Sequence, residues 1–156
     1  MEKTNAMRIL DGKKIEYTSH CVKLDVALSG SQMADILSVP HNSTYKTLVT
    51  VGASKKNYVF MIPVDRELDL KKCAKAVSEK NIEMIKSKDL LGLTGYVHGG
   101  CSPIGMKKLF KTVIDVSCDN YEKIVFSAGK IGCMVEVKVS DLKKALPITT
   151  YDLVRE

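Results

Sequence analysis

A glycine-rich stretch at residues 94–105 constrains this chain more than any other part of its sequence. The stretch reads Thr-Gly-Tyr-Val-His-Gly-Gly-Cys-Ser-Pro-Ile-Gly and holds four of the ten glycines and one of the four prolines. Glycine tolerates positive φ and lets other groups approach the backbone closely, while proline fixes φ and removes a donor. The stretch therefore predicts a loop whose backbone N–H groups face an anion or a developing oxyanion.

The rest of the composition is that of an ordinary globular protein. The chain has 156 residues, of which 45% are hydrophobic and 27% charged, and this predicts one domain spanning residues 1–156. No apolar run approaches the roughly 18 residues that a membrane span requires. Because residues 1–10 carry charges and no long apolar run, a secretory signal is not expected. We therefore expect a cytoplasmic protein that does not contact a membrane.

Charge and cysteine usage bound the partners and cofactors. The formal net charge of +6 fits either a solvated lysine surface or attraction to a polyanion such as RNA. The cysteines are odd in number, widely spaced and without a C-x-x-C pair, which argues against a disulfide framework and a structural zinc site. No metal or other cofactor is predicted. The five cysteines are Cys21, Cys73, Cys101, Cys118 and Cys133.

Hydrophobic periodicity and capping residues predict a mixture of helices and strands. The predicted helices cover residues 4–12, 31–37, 70–80, 87–91 and 140–147. The predicted strands cover residues 14–19, 45–51, 58–63, 82–85, 111–116, 124–126 and 133–139. Because these elements do not alternate as βαβ units, we predict an α+β fold with a curved mixed, partly barrel-like β-sheet and flanking helices.

Lys46 is the lysine that most invites a functional interpretation. It follows Tyr45 and enters a largely apolar strand, so it lies either at the rim of an edge strand or in a binding site. In the second case it is a cation that holds a phosphate or polarises a carbonyl.

The other reactive side chains do not form a recognisable catalytic set. His98 and Cys101 lie close in sequence, but Cys/His pairs are usually adjacent in space and carry family-specific signatures that are absent here. Ser102 and Ser127 both lie outside the G-x-S-x-G pattern of serine hydrolases. If the chain is an enzyme, its backbone supplies the electrostatic stabilisation and the substrate or water supplies the nucleophile.

Residues 127–132, Ser-Ala-Gly-Lys-Ile-Gly, predict a second loop of small residues. Gly129 and Gly132 bracket a lysine, as in an anion-binding turn, although the signal is weak by itself. Neither a Walker A loop nor a Rossmann glycine motif is present.

Four sequence strings occur together in this chain, namely Tyr45-Lys46-Thr47-Leu48, Leu70-Lys71-Lys72, Thr94–Gly105 with Lys107 and Lys108, and Phe126–Gly132. Their order and spacing are those of the YbaK/EbsC proteins, which the chain resembles from about Thr4 onward. YbaK/EbsC proteins are free-standing relatives of the editing domain of bacterial prolyl-tRNA synthetase. The resemblance implies an α+β fold around a curved mixed sheet and an aminoacyl-tRNA deacylase activity.

The resemblance also implies roles for particular residues. Lys46 matches the essential lysine of the family's substrate pocket, Gly99 the loop that faces the scissile ester, and Ser127 a pocket serine. Gly99 and Gly100 are thus the candidate donors to the carbonyl oxygen, and with Lys46 they form the candidate catalytic set. The further substrate-binding candidates are Ser127, Tyr45, Thr94, Ser102 and Gly129.

YbaK-like members clear cysteine from proline tRNA, and their proposed chemistry uses the thiol of the substrate itself. The implied partners are the acceptor end of a misacylated tRNA and prolyl-tRNA synthetase. Two alternatives stay open, namely a deacylase of another ester such as Ala-tRNA(Pro) that uses water, and a non-catalytic nucleotide- or tRNA-binding module. The departures from the family pattern are Val22, where many members have tyrosine, and a short segment at 23–38.

Overall fold

The computed structural model describes residues 2–156 and contains five α-helices and eight β-strands. The helices are α1 (Asn5–Gly12), α2 (Gly30–Leu37), α3 (Leu70–Val77), α4 (Leu90–Thr94) and α5 (Val139–Ala145). The strands are β1 (Tyr17–Cys21), β2 (Tyr45–Gly52), β3 (Asn57–Pro63), β4 (Ile82–Met84), β5 (Lys111–Asp115), β6 (Lys123–Lys130), β7 (Cys133–Lys138) and β8 (Ile148–Tyr151). None of these helices is long and apolar enough to cross a lipid bilayer.

The strands form two sheets that are linked at one point. An antiparallel sheet has the order β1-β7-β6, and a mixed sheet has the order β4-β2-β3-β5-β8 with β5 parallel to both neighbours. A single parallel bridge links Thr44, the residue before β2, to Val125 of β6. The predicted α+β class, mixed sheet and flanking helices are confirmed, but within residues 2–156 the sheets do not close into a barrel.

The helix starts follow from capping side chains. Thr4 caps α1 by accepting a hydrogen bond from the Met7 amide (3.2 Å). Ser29 and Gln32 form a reciprocal capping box at α2. Asp69 accepts from the amides of the first turn of α3. Each cap satisfies N–H groups that a helix start leaves without an intrahelical partner.

Apolar side chains form three core clusters. The largest lies between α1, α5 and the inner faces of both sheets, and Tyr45, Ile104 and Phe126 belong to it. A second cluster packs α3 against the other face of the mixed sheet, around Phe60 and Ile62. The third packs α2 against Val125 and Met134 on the outer face of the antiparallel sheet. The glycine-rich stretch is thus anchored to the largest cluster through Ile104.

Several predicted boundaries are wrong in instructive ways. Residues 127–130 belong to strand β6, with a β-bulge between Ser127 and Lys130, so the predicted loop at 127–132 reduces to a tight turn. The first strand lies at Tyr17–Cys21 rather than 14–19. The sequence predicts the end of the last helix at Pro147 and no element after it, whereas strand β8 follows directly at Ile148–Tyr151. The β2–β3 hairpin is confirmed.

One pair of cysteines corrects the interpretation of the cysteine pattern. Cys21 on β1 lies directly opposite Cys133 on β7, and the two form a disulfide. Spacing argued against a disulfide because these residues are 112 positions apart and become neighbours only when β1 pairs with β7. Cys73, Cys101 and Cys118 are free.

Removing this crosslink is expected to lower the free energy of unfolding by about 2–4 kcal/mol, because the crosslink restricts the unfolded chain over a long loop. We would measure urea unfolding of wild type and Cys133→Ala in oxidising and reducing buffer. Reductant should bring wild type to the stability of the variant and leave the variant unchanged. Cys73→Ala, which removes a buried cysteine without a disulfide, is the control for lost packing. Equal wild-type stability in both buffers would contradict the expectation.

Candidate active site

Lys46 lies near the start of β2, two residues after the bridge that links this end of the mixed sheet to β6. It pairs with Ile62 of β3, whereas β4 pairs only with residues 50–52 of β2. On its other side, β2 meets β6 at the parallel Thr44–Val125 bridge. Lys46 follows Thr44 by two residues and Ser127 follows Val125 by two, so both residues lie close to this junction between the sheets. Two predicted site residues therefore lie near the same junction.

The Lys46 ammonium group has no ion-pair partner within the described residues 2–156. The side chain is half-buried, and this burial lowers the pKa of the amine, while the charges of Glu67 and Asp65 act in the opposite direction. A half-buried lysine without a paired carboxylate is a cation that remains available to a phosphate or carbonyl. The interpretation of Lys46 as a lysine at a solvated rim is thus less consistent with the structure than a binding role.

A hydrogen-bonded network fixes the wall beside Lys46. His41 contacts Asp35 through Nε2 (2.6 Å) and Asp65 through Nδ1 (2.8 Å), and the Ser31 hydroxyl also donates to Asp65. Both contacts raise the pKa of His41, and the hydrogen bond with Asp35 contributes more than the one with Asp65. The network ties α2 to the segment after β3. Because Asp65 is held by Ser31 and His41, it does not form an ion pair with Lys46.

Internal hydrogen bonds give the glycine-rich stretch its shape. The buried Thr94 hydroxyl donates to the Leu90 carbonyl (2.8 Å) and accepts from the Tyr96 amide (3.0 Å). The Tyr96 hydroxyl donates to the Ile104 carbonyl, and the Ser102 hydroxyl accepts from the Ile104 amide (3.2 Å). Ser102 is fully buried. Thr94 and Ser102 therefore hold the loop in shape from within, with their side chains turned away from solvent.

Gly99 and Gly100 are packed closely by two other segments. Gly99 has φ +84°, and a Cβ there would lie 2.5 Å from the Cβ of Ala27. A Cβ on Gly100 would lie 3.0 Å from the backbone nitrogen of Ile131. A side chain at Gly99 would clash with Ala27, and one at Gly100 would require the backbone at Ile131 to shift, so the segment at 22–29 and the β6–β7 turn pack closely against this loop.

The two glycines differ in the availability of their N–H groups. The Gly100 amide donates to the Val97 carbonyl (3.0 Å), so the expectation that it faces a substrate oxygen is wrong in this conformation. The Gly99 amide has no acceptor among the described residues, and Gly99 is exposed. Gly99 is thus the one of the pair that can donate to a developing oxyanion.

Ser127 and Gly129 shape the bulge of β6. The Ser127 hydroxyl accepts from the Gly129 amide (3.2 Å), which leaves its proton free to donate elsewhere. Gly129 has φ +91°, and a Cβ there would lie 2.8 Å from the ring of Tyr96. The bulge therefore packs β6 against the glycine-rich stretch, and Ser127 at its start is half-buried.

Tyr45 points to the other face of β2. Its side chain is 1% exposed, and its hydroxyl shares a hydrogen bond with Ser117 (2.6 Å). The structure therefore places Tyr45 in the core and not beside Lys46. Its predicted role in substrate binding is then limited to holding the strand in place.

The structure offers no activated cysteine at this site. Burial raises the pKa of the Cys101 thiol to about 12, so the thiol is protonated near neutral pH and is a poor nucleophile. His98 is exposed in the same loop. No cluster of three or more potential metal ligands occurs in the described part of the chain. The arrangement can therefore bind an anionic ester and stabilise an oxyanion, while the nucleophile comes from the substrate or from water.

Sequence reasoning missed three residues that build this site. His41 and Asp65 lie between the predicted helices and strands, and Ala27 lies in the short segment at 23–38. Their roles depend on contacts between α2, the segment after β3 and the glycine-rich stretch. A histidine followed by an aspartate 24 positions later carries no recognisable local signal.

Comparison with known proteins identifies the family. The family model described as the aminoacyl-tRNA editing domain matches residues 26–145. The chain belongs to this aminoacyl-tRNA editing family. The matched range includes Lys46, the glycine-rich stretch and the bulge at Ser127, so it covers the whole of the site described above.

Individual relatives agree with this assignment. The chain is 44% identical over 137 residues to a proposed Cys-tRNA(Pro)/Cys-tRNA(Cys) deacylase, EbsC, of Enterococcus faecalis, covering 87% of this chain and 84% of that protein. It is 26% identical over 125 residues to a proline–tRNA ligase of Nitrosomonas eutropha, covering 80% of this chain and 22% of the ligase. The resemblance to the YbaK/EbsC proteins is thereby confirmed.

A solved structure confirms the fold of this editing-family chain. The crystal structure of a proposed trans-editing enzyme for prolyl-tRNA synthetase superposes with a TM-score of 0.80, covering 99% of this chain and 100% of that one. The sequence identity in this superposition is 18%, so the likeness concerns the fold.

Proposed function

We propose that this editing-family chain is a trans-editing deacylase that removes cysteine from mischarged Cys-tRNA(Pro). The observation that carries the proposal is the half-buried Lys46 near the sheet junction, which has no ion-pair partner within residues 2–156. The Gly99 amide, which has no acceptor among those residues, and the Cys101 thiol, whose pKa burial raises to about 12, support it. The similarity to the proposed deacylase EbsC supports the same substrate.

Each residue takes a role that fits its surroundings. Lys46 binds the phosphate or ester end of the terminal adenosine through its unpaired ammonium group. The Gly99 amide donates to the carbonyl oxygen as negative charge develops there, and one well-placed donor contributes about 3 kcal/mol of transition-state stabilisation. Ser127 orients the aminoacyl group. Gly100, Gly129, Tyr45, Thr94 and Ser102 maintain the shape of the loops and strand around it.

The chemistry uses the thiol of the bound cysteinyl group. Its sulfur attacks the carbonyl carbon of the same residue, and a tetrahedral oxyanion forms opposite the Gly99 amide. The ester C–O bond then breaks, the 3′ oxygen of the tRNA leaves with the thiol proton, and a cyclic thioester is released for hydrolysis by water. Binding and orientation are the contribution of the protein.

The substrate end is an acceptor arm of tRNA, and prolyl-tRNA synthetase is the proposed protein partner. Translation places this activity in the cytoplasm. Disulfides are rare in that compartment, so there Cys21 and Cys133 would face each other as thiols. The alternative substrate is Ala-tRNA(Pro), cleaved by a positioned water, and the non-enzymatic alternative is a module that binds aminoacyl-tRNA.

The test compares the loss of three esters, Cys-tRNA(Pro), Ala-tRNA(Pro) and Pro-tRNA(Pro), at an enzyme concentration far below that of substrate. We expect rapid loss of the cysteinyl ester alone, because only that substrate carries an internal thiol. Preferential loss of the alanyl ester would replace the substrate thiol with water as nucleophile. Survival of all three esters would reject catalysis and favour the binding module.

A further inference from the structure

Two open clefts flank the turn between β2 and β3, away from the site at Lys46. The first has a volume of about 550 Å³ and lies between this turn, the end of α3 and the segment at 109–111. The second has a volume of about 670 Å³ and lies between the turn, β4 and the start of α4. Asn57 lines both clefts, so together they form one surface at this end of the mixed sheet.

The surface carries an excess of positive charge. Its lysines outnumber its acids by five to two, the acids being Glu83 and Asp89. All five lysines are exposed, and none forms an ion pair within residues 2–156. The lysines are Lys55, Lys56, Lys86, Lys88 and Lys111. Unpaired lysines grouped on one surface favour a polyanionic partner over a neutral one.

Apolar side chains lie among these lysines. Leu109 is 74% exposed and Met84 is 47% exposed, and each lines one of the clefts. Phe110 lies next to Leu109 and also lines the first cleft. Cationic grooves with apolar and aromatic surface are typical of proteins that bind single-stranded nucleic acid, because bases stack on such side chains.

The second cleft is lined by the part of α4 that immediately precedes the glycine-rich stretch in the chain. Gly92 of α4 lines the cleft, and α4 leads directly into Gly95. The side chain of Lys107 covers Gly95, with its Cγ 3.3 Å from the position of a Cβ there. Ile62 of β3 is the strand partner of Lys46. At a rise of about 3.3 Å per residue, Asn57 at the start of β3 lies about 17 Å from Ile62. About five stacked nucleotides, at roughly 3.4 Å each, span that length.

We propose that these two clefts bind the phosphate backbone of the substrate tRNA next to its aminoacylated end. The inference rests on the proposed function, since the ester must reach Lys46 while the preceding nucleotides follow the glycine-rich stretch to the lysine surface. The clefts contribute affinity for the RNA, whereas the residues around Lys46 act on the ester.

The test replaces Lys55, Lys86 and Lys88 together with glutamine. The matched control replaces Lys13, Lys71 and Lys144, which are also exposed and unpaired in the described structure but lie outside both clefts. Each protein is assayed with Cys-tRNA(Pro) and with the cysteinyl ester of adenosine, which is too short to reach the clefts. Binding of uncharged tRNA is measured across a range of salt concentrations.

We expect the cleft variant to raise KM for the tRNA ester at least about tenfold and to reduce the salt slope of tRNA binding by about 2, since each lost phosphate contact removes roughly 0.7–0.9. The adenosine ester should be cleaved at the wild-type rate, which also shows that the variant is folded. Equal effects of the cleft and control variants would overturn the inference. It would also be overturned if polyglutamate, but not unrelated RNA, competed with tRNA for binding to the protein. If wild type cleaves neither ester, the proposed function fails, and the salt slopes still decide whether the clefts bind RNA.

Discussion

Replacing Lys46 with alanine is expected to abolish turnover of Cys-tRNA(Pro), lowering kcat/KM by at least about 10²–10³-fold. The Lys46 side chain is half-buried and its ammonium group has no ion-pair partner in residues 2–156, so its charge is available to the substrate. Lys46 is the only lysine of β2. The measurement is the initial rate of ester loss at subsaturating substrate.

Two further variants separate charge from packing at this position. Lys46→Met keeps most of the aliphatic stem and should be as inactive as the alanine variant, while its thermal unfolding stays close to wild type. Lys13→Ala removes an exposed lysine without an ion pair elsewhere on the surface and should retain wild-type activity. Wild-type turnover by either Lys46 variant would exclude the lysine from the mechanism.

A second large effect is expected from Gly99→Ala, which should lower kcat about 10²-fold because small displacements of catalytic groups have effects of that size. The residue has φ +84°, and the added methyl group would lie 2.5 Å from the Cβ of Ala27. The loop must shift, and the one unpaired amide of the pair moves with it. Strain of this kind should also lower the free energy of unfolding by about 1–3 kcal/mol.

The control for this variant is Gly12→Ala, at the end of α1, where a Cβ would meet nothing within 4 Å. That variant should keep full activity. A double variant, Gly99→Ala with Ala27→Gly, removes the facing methyl group but leaves the positive φ. Partial recovery of kcat in the double variant would assign the loss to the close contact. An unchanged kcat in Gly99→Ala would show that the Gly99 amide does not face the reacting carbonyl.

Local features of the structure could be predicted from the sequence because they depend on neighbouring residues. Thr4 and Asp69 cap helices as expected, and the β2–β3 hairpin forms between two runs of β-branched and aromatic residues. The glycine-rich stretch is a loop, and Gly99 has the positive φ that its composition suggested. Each of these features is determined by residues that lie close together in the sequence.

Features that depend on distant pairing could not be predicted. The Cys21–Cys133 disulfide and the network of His41 and Asp65 arise only when the strands and α2 are packed. The sequence also suggested that Gly99 and Gly100 act alike. A turn that closes on Val97 occupies the Gly100 amide, and this hydrogen bond follows from loop geometry that composition does not specify.

The position of Lys46 shows the same limit. The sequence left open whether this lysine belongs to a rim or to a site, since both fit the head of an apolar strand. The bridge between Thr44 and Val125 places Lys46 near a junction with β6, a contact between segments that are far apart in the sequence. The resemblance to the YbaK/EbsC proteins predicts that Lys46 lies in the substrate pocket, and its position near the sheet junction agrees with that prediction.

The most direct test of the site is a crystal structure with a cysteinyl-adenosine analogue in which a stable amide replaces the ester. We predict that its carbonyl oxygen lies about 2.7–3.1 Å from the Gly99 nitrogen, with Lys46 in contact with the ribose-phosphate side and Ser127 beside the aminoacyl group. Binding of the analogue elsewhere on the protein, or with its carbonyl turned away from Gly99, would contradict the central claim that the ester is cleaved at this junction.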